Sequence, residues 1–167
     1  MKAFLITEIR DFMTKLLLKD CFDDFRLLEL SVTTHISYHI DGKEHPAYYD
    51  TTENESSKDQ QEDHVSWKEL RPLCYSLIRG KHTPLQMKIV FMQNRKYIEE
   101  MLAHTSLNFD PQDIKGLYLN CQFDHGALIC TSGSSLGIFT MDKSLDYAWD
   151  NWIENFFKEN QIDYSEA

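Results

Sequence analysis

The most regular stretch of the chain runs from Phe25 to Ile40, where two kinds of side chain alternate without a break. Leu28, Leu30, Val32, Thr34, Ile36, Tyr38 and Ile40 share one phase, and Glu29, Ser31, Thr33, His35, Ser37 and His39 share the other. A period of two puts successive side chains on opposite faces of a strand. The spacing therefore predicts one extended strand with a buried and a wet face, the signature of antiparallel sheet. Asp41-Gly42 reads as the turn after it, and Ala47–Tyr49 as a short returning strand.

Elsewhere the period is helical. Lys2–Ile6 reads as a short strand and Thr7 as an N-cap, after which Ile9, Phe12, Met13, Leu16 and Leu17 fall on one helix face. Ser66-Trp67-Lys68-Glu69 has the form of a capping box, followed by a stripe of Leu70, Leu73, Cys74, Leu77 and Ile78, with Gly80 placed to stop the helix. Pro72 interrupts that stripe and predicts either a kink or a helix that starts near Arg71. Leu85–Gln93 reads as a strand. Asn94 caps a helix carrying Tyr97, Ile98, Met101 and Leu102, and Asp110–Asp113 forms one turn with proline at its first position. Asp142 or Ser144 caps a last helix, whose stripe is Leu145, Ala148, Trp149, Trp152, Ile153 and Phe156.

Between these helices lies a predicted meander. Lys115–Phe123 and Ala127–Thr131 flank Asp124-His125-Gly126, a hairpin signal, and Leu136–Met141 reads as its third strand. Two registers are open. A two-residue loop of His125 and Gly126 sets Cys121 opposite Cys130. A type I turn with only Gly126 left-handed sets Cys121 opposite Ile129, and it is favoured because it spares His125 a positive φ. Mixed elements without regular βαβ alternation give an α+β class: a single domain over residues 1–167, with a largely antiparallel sheet and helices packed on one face.

Composition narrows this further. A chain of 167 residues with 42% apolar content buries enough surface for one core without staples. Residues 50–64 contain no apolar side chain, carry six acids and one lysine, and are expected to form an acidic surface loop. The N-terminal apolar stretch, Ala3–Ile6, is too short for a secretory signal, and no run is long enough to span a bilayer. A cytoplasmic protein with reduced cysteines is expected, with no membrane association. The net charge of −10 disfavours nucleic acid. Charge is unevenly placed, however: Lys68–Lys96 holds seven basic residues and one acid, a local net of +6 that leaves −16 for the remainder.

Most motif-like features fail a physical test. Gly133-Ser134-Ser135-Leu136-Gly137 fits G-x-S-x-G, but the residues after it look extended, and no histidine follows the serine in the chain. The expectation there is a turn between two strands. His35 and His39 sit four apart. On one strand that is about 13 Å, too far for two nitrogens each about 2 Å from one ion. Cys21, Cys74, Cys121 and Cys130 have no zinc-ligand spacing. Asp142, Asp146 and Asp150 suit the positive end of a helix better than acid–base chemistry. No catalytic residue, metal or cofactor is expected. One cluster points to a ligand: Arg79, Lys81 and His82 flank Gly80 between a helix and a strand, with Arg71 one stretch upstream. Such groups hold a phosphate, a carboxylate or an acidic surface.

Several stretches also resemble a family of bacterial proteins of unknown function, stand-alone cytosolic proteins of Gram-positive bacteria. They are Met1-Lys2-Ala3, Phe12–Leu17, Leu70–Cys74, Gly80–Pro84 running into Met87–Phe91, and Leu145–Asp150. The resemblance spans the chain except the acidic loop, and it implies no activity. The function expected is a non-catalytic cytosolic binding or interaction module, with a protein partner or a second copy as possible partners. The alternative is a small enzyme or ligand sensor for an anion held by Arg71, Arg79, Lys81 and His82.

Overall fold

The computed structural model describes residues 1–48 and 63–167. The alternating stretch at 25–40 is not one strand. Arg26–Thr33 forms β2 and Ser37–Asp41 forms β3, antiparallel to it, with Val32 opposite Tyr38 and Leu30 opposite Ile40. The loop of Thr34, His35 and Ile36 is closed by the Thr34 N–H donating to the Ile36 carbonyl at 2.8 Å. A register shift between Leu27 and Glu29 changes the phase again. Leu27, Leu30 and Val32 are therefore fully buried, while Leu28, expected inside, is only half-buried.

The remaining strands are β1 (Ala3–Ile6), β4 (Gln86–Met92), β5 (Ile114–Asp124), β6 (Ala127–Leu136) and β7 (Tyr164–Glu166). With β2 and β3 they make one seven-stranded antiparallel sheet, ordered β3-β2-β4-β5-β6-β1-β7. The helices are α1 (Ile9–Leu18), α2 (Trp67–Ile78), α3 (Arg95–His104) and α4 (Ser144–Glu159). The α+β reading holds.

Three further expectations are corrected. Pro46–Tyr48 is a turn of 3₁₀-helix rather than a returning strand, and Tyr49 lies outside the described residues. The expected third strand at 136–141 does not form. β6 runs on through Gly133, Ser134 and Ser135 to Leu136, which removes the expected turn there, and Ile138, Phe139 and Met141 are exposed. Finally, β5 and β6 take the two-residue loop: Cys121 faces Cys130, with φ of 49° at His125 and 79° at Gly126. Two left-handed residues give the turn whose twist matches paired strands, and that match outweighs the steric cost at His125. Most of the acidic loop, residues 50–62, lies outside the described residues.

Aromatic packing joins α1, α2 and α4 to one sheet face. The Phe22 ring meets Phe12 of α1, Phe91 of β4 and Phe156 of α4, and Phe91 also meets Trp67 of α2. Both fully buried indoles satisfy their N–H: Trp67 donates to the Leu16 carbonyl and Trp149 to the Tyr118 carbonyl, each at 2.9 Å. α2 starts at Trp67 and continues past Pro72 to Ile78, although Pro72 has no N–H to offer the Lys68 carbonyl one turn back.

Candidate functional site

α1 packs against α2, and the chain leaving α2 returns along the same side. α2 ends as the Arg79 N–H closes on the Tyr75 carbonyl at 2.8 Å. Gly80 follows at φ 152°, a conformation that favours glycine. Pro84 is buried, and the Leu85 N–H donates to the Thr33 carbonyl at 2.8 Å, which anchors the connection to the sheet. A groove of about 590 Å³ lies between α1 and this connection. Ile9, Met13 and Leu17 of α1, with Ile78 and Pro84 opposite, supply its apolar wall. Arg79, Lys81 and His82 line it too, and so does Arg10 of α1. Among the described residues its lining contains no aspartate or glutamate.

Arg71, expected with this cluster, does not join it. Its guanidinium forms a fork on Asp23, Nε to Oδ1 at 2.9 Å and the terminal nitrogen to Oδ2 at 3.0 Å, an arrangement that ties α2 to the turn before β2. Arg10 was missed in sequence. It sits beside the α1 stripe, and only the packing of α1 on α2 brings it to the groove.

The other candidates are structural in their geometry. The Ser132 and Ser134 hydroxyls donate to Asp150 and Asp146, which fastens α4 to β6. Asp142 accepts from the Ser144 N–H at 2.8 Å. For Asp146, partial burial would raise the carboxyl pKa, but the Ser134 hydroxyl and the Lys143 ammonium outweigh it, and the net shift is downward. A carboxylate held charged in this way is a poor base for a neighbouring serine. His39 bonds to Ser31 (Nδ1 to Oγ, 3.1 Å) and His35 to Thr34 (3.3 Å). Because 35–39 is a turn leading into a strand, the distance argument against a shared ion loses its premise. Among the described residues, no three His, Cys, Asp or Glu side chains are grouped to hold a metal.

The four cysteines are free thiols. Cys130 and Cys121 face one another in the core with sulfurs 3.4 Å apart. Burial pushes the Cys130 thiol well up, the Cys74 thiol up to about 12, and the Cys21 thiol up as well. A thiol kept protonated is a weak nucleophile.

Comparison with known families adds one assignment. A family model described as DUF5721, a family of unknown function, matches residues 15–165. The chain belongs to this family. The DUF5721 match runs from within α1 to β7, so it takes in Arg79, Lys81 and His82, while Ile9, Arg10 and Met13 precede it. It bears out the resemblance to a family of unknown function and assigns no activity to any residue. No curated protein and no solved structure matches this DUF5721 chain. Among its described residues, no helix is long and apolar enough to cross a membrane.

Proposed function

We propose that this domain is a non-catalytic binding module that holds an anionic ligand in the groove between α1 and the α2–β4 connection. One observation carries the reading: three cations and a histidine line an apolar-walled groove whose lining, among the described residues, holds no acid, in a chain of net charge −10. Concave, largely apolar sites with a few convergent polar groups are the usual form of a ligand site. Among the described residues, the Arg10, Arg79 and Lys81 side chains make no ion pair, so their charge is available to a ligand. The alternative, a small enzyme acting on an anion, draws no support from the lining, which contains no nucleophile paired with a base. We also read the protein as cytoplasmic and bacterial. Both rest on the sequence resemblance.

Inorganic phosphate, followed by NMR at low ionic strength, tests the anion site. Amide shifts over residues 78–84 are expected to saturate in the millimolar range. The double variant Arg79→Glu/Lys81→Glu, its fold checked by circular dichroism, should weaken binding by about tenfold or more, given some tenths to 1 kcal/mol per exposed charge pair. Equal binding by the double variant, or no saturable shift in the parent protein, overturns the proposal.

A further inference from the structure

We infer that the ligand of this groove is a small amphipathic anion: one singly charged headgroup on an aliphatic tail. The inference rests on the anion-site reading and adds the ligand class. Three features of the groove lead to it.

The first is the wall. Ile9, Met13, Leu17, Ile78 and Pro84 lie beside the cations, and Leu18 at the rim is 52% exposed. A compact ion would satisfy the charges and leave this apolar surface wet. An aliphatic tail lying on it removes both surfaces from water. The second is size. About 590 Å³ falls in the middle of the range for small-molecule sites, roughly 300–1,000 Å³, and is far more than a bare carboxylate or phosphate fills.

The third is the backbone. Phosphate-rich ligands are usually held at a helix N-terminus, where N–H groups and the positive end of the dipole converge. This groove has the opposite end: α2 finishes at Ile78, and its last carbonyls carry partial negative charge beside Arg79 and Lys81. Part of the cationic charge offsets the dipole. What remains suits a single charge read by mobile side chains. Arg79, Lys81 and His82 follow the helix end on one side, and Arg10 approaches from α1 on the other.

A homologous series tests it: acetate, hexanoate, octanoate and decanoate below their micelle concentrations, with 1-octanol as the uncharged control, each titrated by NMR against the full chain. Affinity should rise about two- to fourfold per added methylene, the upper figure corresponding to complete burial. Octanol should bind at least about tenfold more weakly than octanoate. Met13→Ser should flatten the rise with chain length. Arg79→Glu/Lys81→Glu should weaken every carboxylate. A flat series with phosphate binding intact overturns the amphipathic ligand and leaves the anion site standing. Octanol binding as well as octanoate overturns the headgroup. No saturable shift with phosphate or any carboxylate overturns both readings.

Discussion

Ser134 and Asp146 show how single residues join β6 to α4. Asp146 has a folded pKa below its ordinary 3.8, so it stabilises the protein above that value. The contribution is lost as pH falls through the lower folded value. Ser134→Ala removes the hydroxyl that donates to it, which should raise the Asp146 pKa and cost about 1–2 kcal/mol at neutral pH. Denaturant melts at pH 7 measure the loss, and a carboxyl-carbon NMR titration of Asp146 measures the shift. An unchanged titration midpoint would show that the hydroxyl is incidental. Residue-scale features of this kind were legible only when local. Asn94 accepts from the Tyr97 N–H, as its capping pattern predicts, whereas neither Thr7 nor Ser66 supplies a side-chain cap to α1 or α2. The Arg71–Asp23 fork joins residues 48 apart in the chain, and nothing in the spacing announces it. It took Arg71 out of the expected anion cluster.

Among elements, the β2–β3 hairpin explains the main misreading. Its three-residue loop pairs Leu30 with Ile40 and Val32 with Tyr38, so even-numbered residues stay in phase on both arms. An alternating pattern therefore looks the same whether the chain continues or folds back. The sequence showed the sheet and its inward phase there but had no means of marking the turn. The bulge at Leu27/Glu29 is equally silent, yet it demands one residue: Gly42, against which the bulged strand packs. The Gly42 N–H donates to the Leu28 carbonyl at 3.1 Å, and its own carbonyl accepts from Val65 at 2.9 Å. A Cβ on Gly42 would lie 1.8 Å from the Leu27 carbonyl oxygen, which is backbone and held by the sheet. Gly42→Ala should therefore cost roughly 3 kcal/mol. A urea melt checks this, and a loss under about 0.5 kcal/mol, the scale of an ordinary surface change, would mean the edge relaxes freely.

For the whole molecule, architecture class was readable and assembly was not. The order of elements gave an antiparallel α+β sheet. The insertion of β1 between β6 and β7 depends on pairings across more than a hundred residues, Phe4 with Cys130 and with Glu166. The groove divides in the same way. Its charged side, Arg79 to His82, is contiguous in sequence and was legible. Its apolar wall comes partly from α1, whose stripe marks one helix face in the sequence and whose outer part, Ile9 and Met13, is only half-buried.

The place of β1 also bears on timing. β1 precedes both of its sheet neighbours, β6 and β7, by more than a hundred residues, so it has no partner until residues near 129 have been made. The sequential part of the sheet, β2 to β6, can zip together first, with β1 slotting in afterwards and β7 closing the edge. Pairings this remote slow folding towards milliseconds to seconds. Pulsed hydrogen exchange during refolding should protect β4 and β5 amides before those of β1. Simultaneous protection would mean that β1 meets β6 and β7 early. Until that meeting, Phe4 and Ile6 remain in water, and β6 presents an unpaired edge to any passing strand.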